Sequence, residues 1–218
     1  MLKLGFLASG RGSNFQSIVE ECEAGRLAAK PALLITDVAG AYARKRAEKH
    51  GIPHMCVRPR DYDSMDEYFG QIASAMKAAR VGLVVLAGFM RIVRKPLLDA
   101  FPMRVINIHP ALLPAFPGLH GQAQAADYGV RISGCTVHFV DEGMDTGPVI
   151  IQAAVPALPG DTEDTLSARI LKAEHRIFPE AIRLFAAGRL SVRGRKVMIE
   201  GYGAAPDDAV IYSPPLGG

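Results

Sequence analysis

The sequence predicts an α/β fold: a doubly wound, mostly parallel twisted sheet with a Rossmann-like N-terminal half, continued by a C-terminal extension of the same sheet and a long helix. Three observations carry that prediction. Strand-like and helix-like apolar patterns alternate along the N-terminal part, as successive β–α–β units require. Residues 81–87, Val-Gly-Leu-Val-Val-Leu-Ala, are an almost unbroken apolar run, which suits a parallel strand covered on both faces. The loop Ala8-Ser9-Gly10-Arg11-Gly12-Ser13-Asn14 joins the first strand pattern to the first helix pattern, the place where such sheets hold ligands.

The elements follow in order. Residues 2–8 read as a strand, and residues 13–25 carry helical apolar spacing through Phe15, Ile18, Val19 and Cys22. Residues 31–36 form a second strand, and residues 41–50 a basic helix closed by Gly51. A short strand at 54–57 and a helix at 65–79 lead to the apolar run at 81–87. The next strand, 104–109, gives way to the proline-rich loop 110–117. A helix near 122–128 and two strands, 134–140 and 148–155, come next. A long helical pattern, 162–187, starts at Asp161 or Thr162, either of which can cap it. The last dozen residues, rich in proline and glycine, read as a frayed tail.

Composition narrows the class. With 218 residues and 49% hydrophobic content, the chain can bury a full core without disulfides or metal. Cys22, Cys56 and Cys135 are widely spaced, odd in number and without a C-x-x-C pair, which fits a reducing, cytoplasmic setting and argues against a zinc site. Residues 2–8 are too short for a signal peptide, and no segment reaches the ~20 apolar residues of a membrane helix. The net charge of +3 is small and dispersed, so neither nucleic acid nor membrane is an expected partner. A modest positive field suits an anionic small substrate.

The densest chemical signal is Val105-Ile106-Asn107-Ile108-His109-Pro110. Strand side chains alternate, so Asn107 and His109 share a face, and Pro110 ends the ladder because it has no N–H to donate. An amide and an imidazole at a strand's carboxyl end read as a chemical site. The glycine loop lacks a full dinucleotide fingerprint, since Phe15 stands at its third position, and no Gly-Lys-Ser/Thr follows for a Walker loop. Asp37 sits near where a ribose-binding acid belongs in such a fingerprint. The loop therefore reads as a phosphate-monoester cradle or as a structural turn. Asp145, in the turn from Asp141 to Pro148, reads either as turn chemistry or as the acid partner of His109. The pairing requires the 134–140 strand to lie beside the 104–109 strand. His50 and His54 cannot share a helix face across Gly51 and Pro53, and His109, His120 and His138 form no metal-ligand pattern. His138 reads as a satisfied core histidine.

These residues carry a resemblance. Asn107-Ile-His109-Pro-Ala-Leu-Leu-Pro114, Phe116-Pro-Gly-Leu-His120, Gly134-x-Thr136-Val-His138-Phe-Val and the stretch from Asp141 to Pro148 resemble the folate-dependent formyltransferase family. Gly12-Ser13-Asn14, Leu86-Ala-Gly-Phe-Met-Arg-Ile92 and Ala173-Glu174-His175-x-x-Phe-Pro179 resemble its purine-synthesis branch, which formylates glycinamide ribonucleotide. The resemblance implies that Asn107, His109 and Asp145 are catalytic. It implies that Gly12, Ser13, Asn14 and Glu174 hold the nucleotide. Met90, Arg91, Ile92, Val93, Asn107, Val140, Asp141 and Asp145 would line the folate pocket. The implied co-substrate is 10-formyltetrahydrofolate, with no metal, and the partners are small molecules, the protein being a monomer or weak homodimer. Residues 1–190 would then be one domain, with a phosphate-binding half at 1–103 and a catalytic and folate half at 104–190. Residues 191–218 would add a strand or hairpin and a flexible tail. Two positions depart from the pattern. Met65 stands where relatives can carry an arginine near the folate tail, and Gly121-Gln122-Ala123 replaces a more polar stretch.

Transfer to methionyl-tRNA normally goes with an extra C-terminal domain and an arginine-rich loop after Leu-Leu-Pro, where Ala115-Phe116-Pro117 stands here. Hydrolysis of formylfolate usually goes with an N-terminal regulatory domain, whereas Met1 begins the first strand. A nucleotide sensor without catalysis would have no use for an acid–base pair beside an amide.

Overall fold

Among the described residues, strand β1 (Leu2–Ala8) is the third strand of a nine-stranded sheet ordered β3-β2-β1-β4-β5-β6-β7-β9-β8. The computed structural model describes residues 1–201 and Ser213. The strands β2 (Ala29–Thr36), β3 (His54–Cys56), β4 (Leu83–Leu86) and β5 (Val105–His109) run parallel to β1. Strand β6 (Ile132–Phe139) turns antiparallel to β5, and β7 (Val149–Pro156) antiparallel to β6. The chain winds outward from β1 to β3, then returns to β4 on β1's other side. That reversal opens a crevice at the carboxyl ends of β1 and β4.

Period two divides the core. Leu4, Phe6, Leu34 and Val85 pack under helices α1 (Ser13–Glu23) and α6 (Glu163–Ala186). Their alternates Leu7, Leu33, Ile35 and Val84 pack under α3 (Met65–Ala78) and α4 (Lys95–Ala100). Phe6 meets Phe15 of α1 edge-on, with ring centroids 4.9 Å apart, a geometry worth ~0.5–1.5 kcal/mol beyond area burial. Gly5 lets α3 approach closely, since a Cβ there would overlap Met76 Sδ.

Two capping devices place the helices that matter to the site. Thr162, not Asp161, caps α6, accepting from the Thr165 N–H while Thr165 Oγ1 accepts from the Thr162 N–H. Pro179 lies inside α6, so the carbonyl of His175, four residues back, has no helical N–H to accept from. Ser17 Oγ of α1 donates to it at 3.2 Å. This proline thereby ties α1 to α6, and the helix after the glycine loop to the C-terminal part of the chain.

Helix α4 has no counterpart in the sequence reading. Its six residues are too few to show a period; the available signal was Pro96 in its first turn. Helix α2 (Tyr42–Lys49) and helix α5 (Gly121–Tyr128) stand close to the helices expected at 41–50 and 122–128. Past β7, strands β8 (Leu190–Arg193) and β9 (Lys196–Ile199) form an antiparallel hairpin, and Val149 of β7 pairs with Lys196 of β9. The expected frayed tail lies outside the described residues, Ser213 apart. No helix among the described residues is long and apolar enough to cross a membrane.

Candidate active site

Strand register assembles the polar cluster. On β5 and β6, Asn107 faces His138 and His109 faces Thr136, so alternation sets all four on one side of the sheet. Asp145 follows in the turn between β6 and β7, with φ of 57°; aspartate and asparagine tolerate that left-handed conformation better than most residues. His109 Nδ1 lies 3.4 Å from Asp145 Oδ2, and His138 Nε2 lies 3.6 Å from Asp145 Oδ1. The condition for an Asp145–His109 pair, adjacent strands, is met.

His109 is only 3% exposed. Although it ends β5, the loop after Pro110 folds back over it. The Phe116 carbonyl accepts from His109 Nε2 at 2.8 Å, and Gly118 N–H donates to Asp145 Oδ2 at 2.7 Å. Thr136 Oγ1 holds the loop's base, donating to the Ala111 carbonyl and accepting from Leu113 N–H. Burial by itself raises the Asp145 carboxyl, but the His138 imidazole, the Gly118 N–H and the His109 charge outweigh it and hold the carboxyl below the usual range.

Beside the cluster opens a cavity of about 700 Å³, lined by apolar Met90, Ile92, Val93, Leu119 and Met144 and floored by Asn107, His109 and Asp145. Val140 and Arg91 also line it. Arg91 spends its Nε on Asp37 at 2.7 Å, so Asp37 is the buried anchor of an arginine. Asp141 falls outside the lining; its Oδ1 accepts from Gly143 N–H and Thr146 Oγ1 and so shapes the Asp145 turn. Met65 packs into the apolar cluster under α3 and α4. Gln122 reaches the cavity wall from the first turn of α5.

The glycine loop opens on the same crevice. Gly12 adopts φ of 67° at the N-cap of α1, which glycine permits and β-branched residues resist. The first-turn N–H groups of α1, beginning at Ser13, have no intrahelical acceptors. Ser9 ties this loop to the apolar cavity, its N–H donating to the Gly88 carbonyl and its Oγ accepting from Met90 N–H.

Asn14 and Glu174, distant in sequence, meet: Asn14 Nδ2 donates to Glu174 Oε2 at 2.8 Å, and both are buried. Among the described residues Asn14 Oδ1 has no hydrogen-bond partner. Burial pushes the Glu174 carboxyl up from 4.5, and the Asn14 hydrogen bond only partly opposes this. The folded protein thus favours protonated Glu174, a contribution fully present below pH 4.5 and lost as pH rises through the raised value. Glu174→Gln is expected to melt higher than the unliganded wild type near neutrality, with the gap closing toward pH 4.5. Melting curves across that range check it.

His138 is the functional-site residue that the sequence reading passed over. Its signal was its spacing two residues beyond Thr136, visible only once the register against Asn107 is known. Residues 1–103 and 104–190 both build the site region, because α1 docks on α6 and the segment after β4 lines the cavity beside Asn107 and His109.

Residues 2–182 match the family described as formyl transferase. The chain is 41% identical to phosphoribosylglycinamide formyltransferase of Bacillus subtilis (strain 168), over 90% of this chain and 100% of that protein. It is 48% identical to the trifunctional purine biosynthetic protein adenosine-3 of Drosophila pseudoobscura pseudoobscura over 86% of this chain, and it spans only 14% of that relative's length. Among solved structures, glycinamide ribonucleotide transformylase 1 from Symbiobacterium toebii superposes with a TM-score of 0.90 at 52% identity, covering 91% of this chain and 94% of that one.

Proposed function

Because the chain belongs to the formyl transferase family, we propose that it transfers the formyl group of 10-formyltetrahydrofolate to the amine of glycinamide ribonucleotide, a step of purine biosynthesis. The observation that carries this reading is the meeting of two unlike ligand surfaces at one polar cluster. A helix N-terminus that suits a phosphate and an apolar cavity that suits a pterin and its aryl ring are laced together through Ser9. Asn107, His109 and Asp145 stand at the cavity floor.

In this reading the nucleotide's phosphate takes the free N–H groups of Gly12, Ser13 and Asn14, with Glu174 beside it. The folate lies along Met90, Arg91, Ile92, Val93 and Val140, and Asp141 builds the turn that faces it. The amine attacks the formyl carbon, and the carbonyl oxygen gains negative charge. Asn107 Nδ2 and the His109 ring donate to that oxygen; the His109 Nε2 proton, held in the resting site by the Phe116 carbonyl, passes to the stronger acceptor. Such preorganised donors supply a large part of acyl-transfer catalysis. As the bond from carbon to the folate nitrogen breaks, the ammonium gives up a proton and the leaving nitrogen gains one, with Asp145 as the relay through water. The products are the formylated nucleotide and tetrahydrofolate.

The test is an absorbance assay of formylfolate consumption with and without glycinamide ribonucleotide. Transfer requires the nucleotide. Consumption without it would make the protein a hydrolase, and turnover only with methionyl-tRNA would move the substrate assignment. Gly12→Val tests the phosphate cradle. Anchoring at a helix N-terminus is worth up to ~2 kcal/mol, so the nucleotide KM is expected to rise about 10- to 30-fold while the folate KM holds. A Cβ at Gly12 would also stand 2.7 Å from Ala43 Cβ, so the melting temperature is followed alongside. A rise in folate KM instead would exchange the two pockets.

A further inference from the structure

We infer that His138 is a positioning residue, which aims the Asn107 amide at the reacting carbonyl oxygen. The inference rests on the formyl-transfer reading and extends its site by a residue that acts through Asn107. Its first support is the hydrogen-bond logic of the ring. His138 Nδ1 lies 2.8 Å from the Phe139 carbonyl, which can only accept, so Nδ1 carries a proton. When Nε2 carries no proton it can accept from Asn107 Nδ2, which stands 3.3 Å from it. An amide has two ends, and only its NH₂ end can satisfy that nitrogen. His138 therefore fixes which end of Asn107 turns toward β6 and leaves the second Nδ2 proton to the cavity.

The second support is placement. His138 is 2% exposed and directly opposite Asn107 across the β5–β6 pair. The β6–β7 register shifts between Val137 and His138, and a bulge of this kind re-aims a side chain next to a site. Asp145 Oδ1 lies 3.6 Å from the same His138 Nε2, a partner only for a ring that carries a proton there, while His109 and Gly118 take Oδ2. A histidine kept only for packing would need neither the Asn107 contact nor the register shift.

His138→Leu and His138→Gln separate the positioning role from a structural one. Leucine fills the space without an acceptor, whereas glutamine Oε1 can take the place of Nε2. Misaiming a transition-state contact by about 1 Å costs up to ~100-fold, so His138→Leu is expected to lower kcat about 10- to 100-fold. Both KM values should stay within about threefold, as befits a contact made in the transition state. Glutamine should restore most of kcat. In wild-type protein an NOE is expected between the Asn107 side-chain amide and His138 Hε1, and the Asn107 amide resonances should move in the leucine variant and return in the glutamine variant. Wild-type kcat in His138→Leu, equal losses in both variants, or absence of that NOE would each overturn the inference. Should the leucine variant not fold, the NOE and the glutamine variant's kcat decide. A wild-type protein that fails to transfer formyl at all would instead strike the proposed reaction.

Discussion

His109→Ala is expected to lower kcat by about 10³-fold or more, with the nucleotide KM within about threefold of wild type. Loss of one oxyanion donor costs about 10²- to 10³-fold, and loss of a proton-transfer partner adds to it. The nucleotide KM should hold because the proposed phosphate cradle stands on α1, a separate element whose preceding loop is tied to the loop after β4 rather than to β5. Stability should fall as well. The imidazole is buried and links the Phe116 carbonyl to Asp145, and an orphaned buried acceptor costs about 1–3 kcal/mol. Melting curves therefore accompany the kinetics, and a folded variant with near-normal kcat would remove His109 from the mechanism.

What was legible in the sequence follows from which interactions are local. Alternation within β5 put Asn107 and His109 on one face, and glycine with a following helix marked the loop at Gly12. Both depend on residues a few positions apart, where the backbone period alone decides the outcome. Asp145 was legible only conditionally, because its approach to His109 depends on β6 lying antiparallel beside β5, a nonlocal pairing. His138 was missed for the same reason; its partners Asn107 and Asp145 come from other elements, and alone it resembles any buried histidine. The closure of the 110–120 loop left no readable trace. It rests on the Phe116 carbonyl with φ of 52° at a bulky residue and on the Gly118 N–H, and backbone groups are chemically identical at every position. Asp37 shows the converse. It stood near where a ribose-binding acid belongs, yet the fold gives it to Arg91.

Asp145→Asn is expected to lower kcat about 10²- to 10⁴-fold, the range spanned by general acid–base catalysis, with little change in nucleotide KM. The substitution is clean for a structural reason. Asn tolerates the φ of 57° found at this position, and its Oδ1 can still accept from the Gly118 N–H, so the turn survives while the charge is lost. What goes is the anion between His109 and His138, and with it the group able to carry a proton between the two nitrogens. A pH signature distinguishes this from a packing defect. The wild-type carboxyl is held below 3.8 in the folded state, so its charge adds stability above that value, and the contribution disappears as pH falls through the depressed one. Asp145→Asn should melt lower than wild type near neutrality, and the difference should shrink in acid below pH 3.8. A deficit that is the same at both ends of the range would mean that Asp145 acts by shape, and an unchanged kcat would reduce it to a turn residue. Asp145→Ala serves as the contrast: it removes the Gly118 contact as well, so it should lose the same activity and more stability, with the additional loss independent of pH.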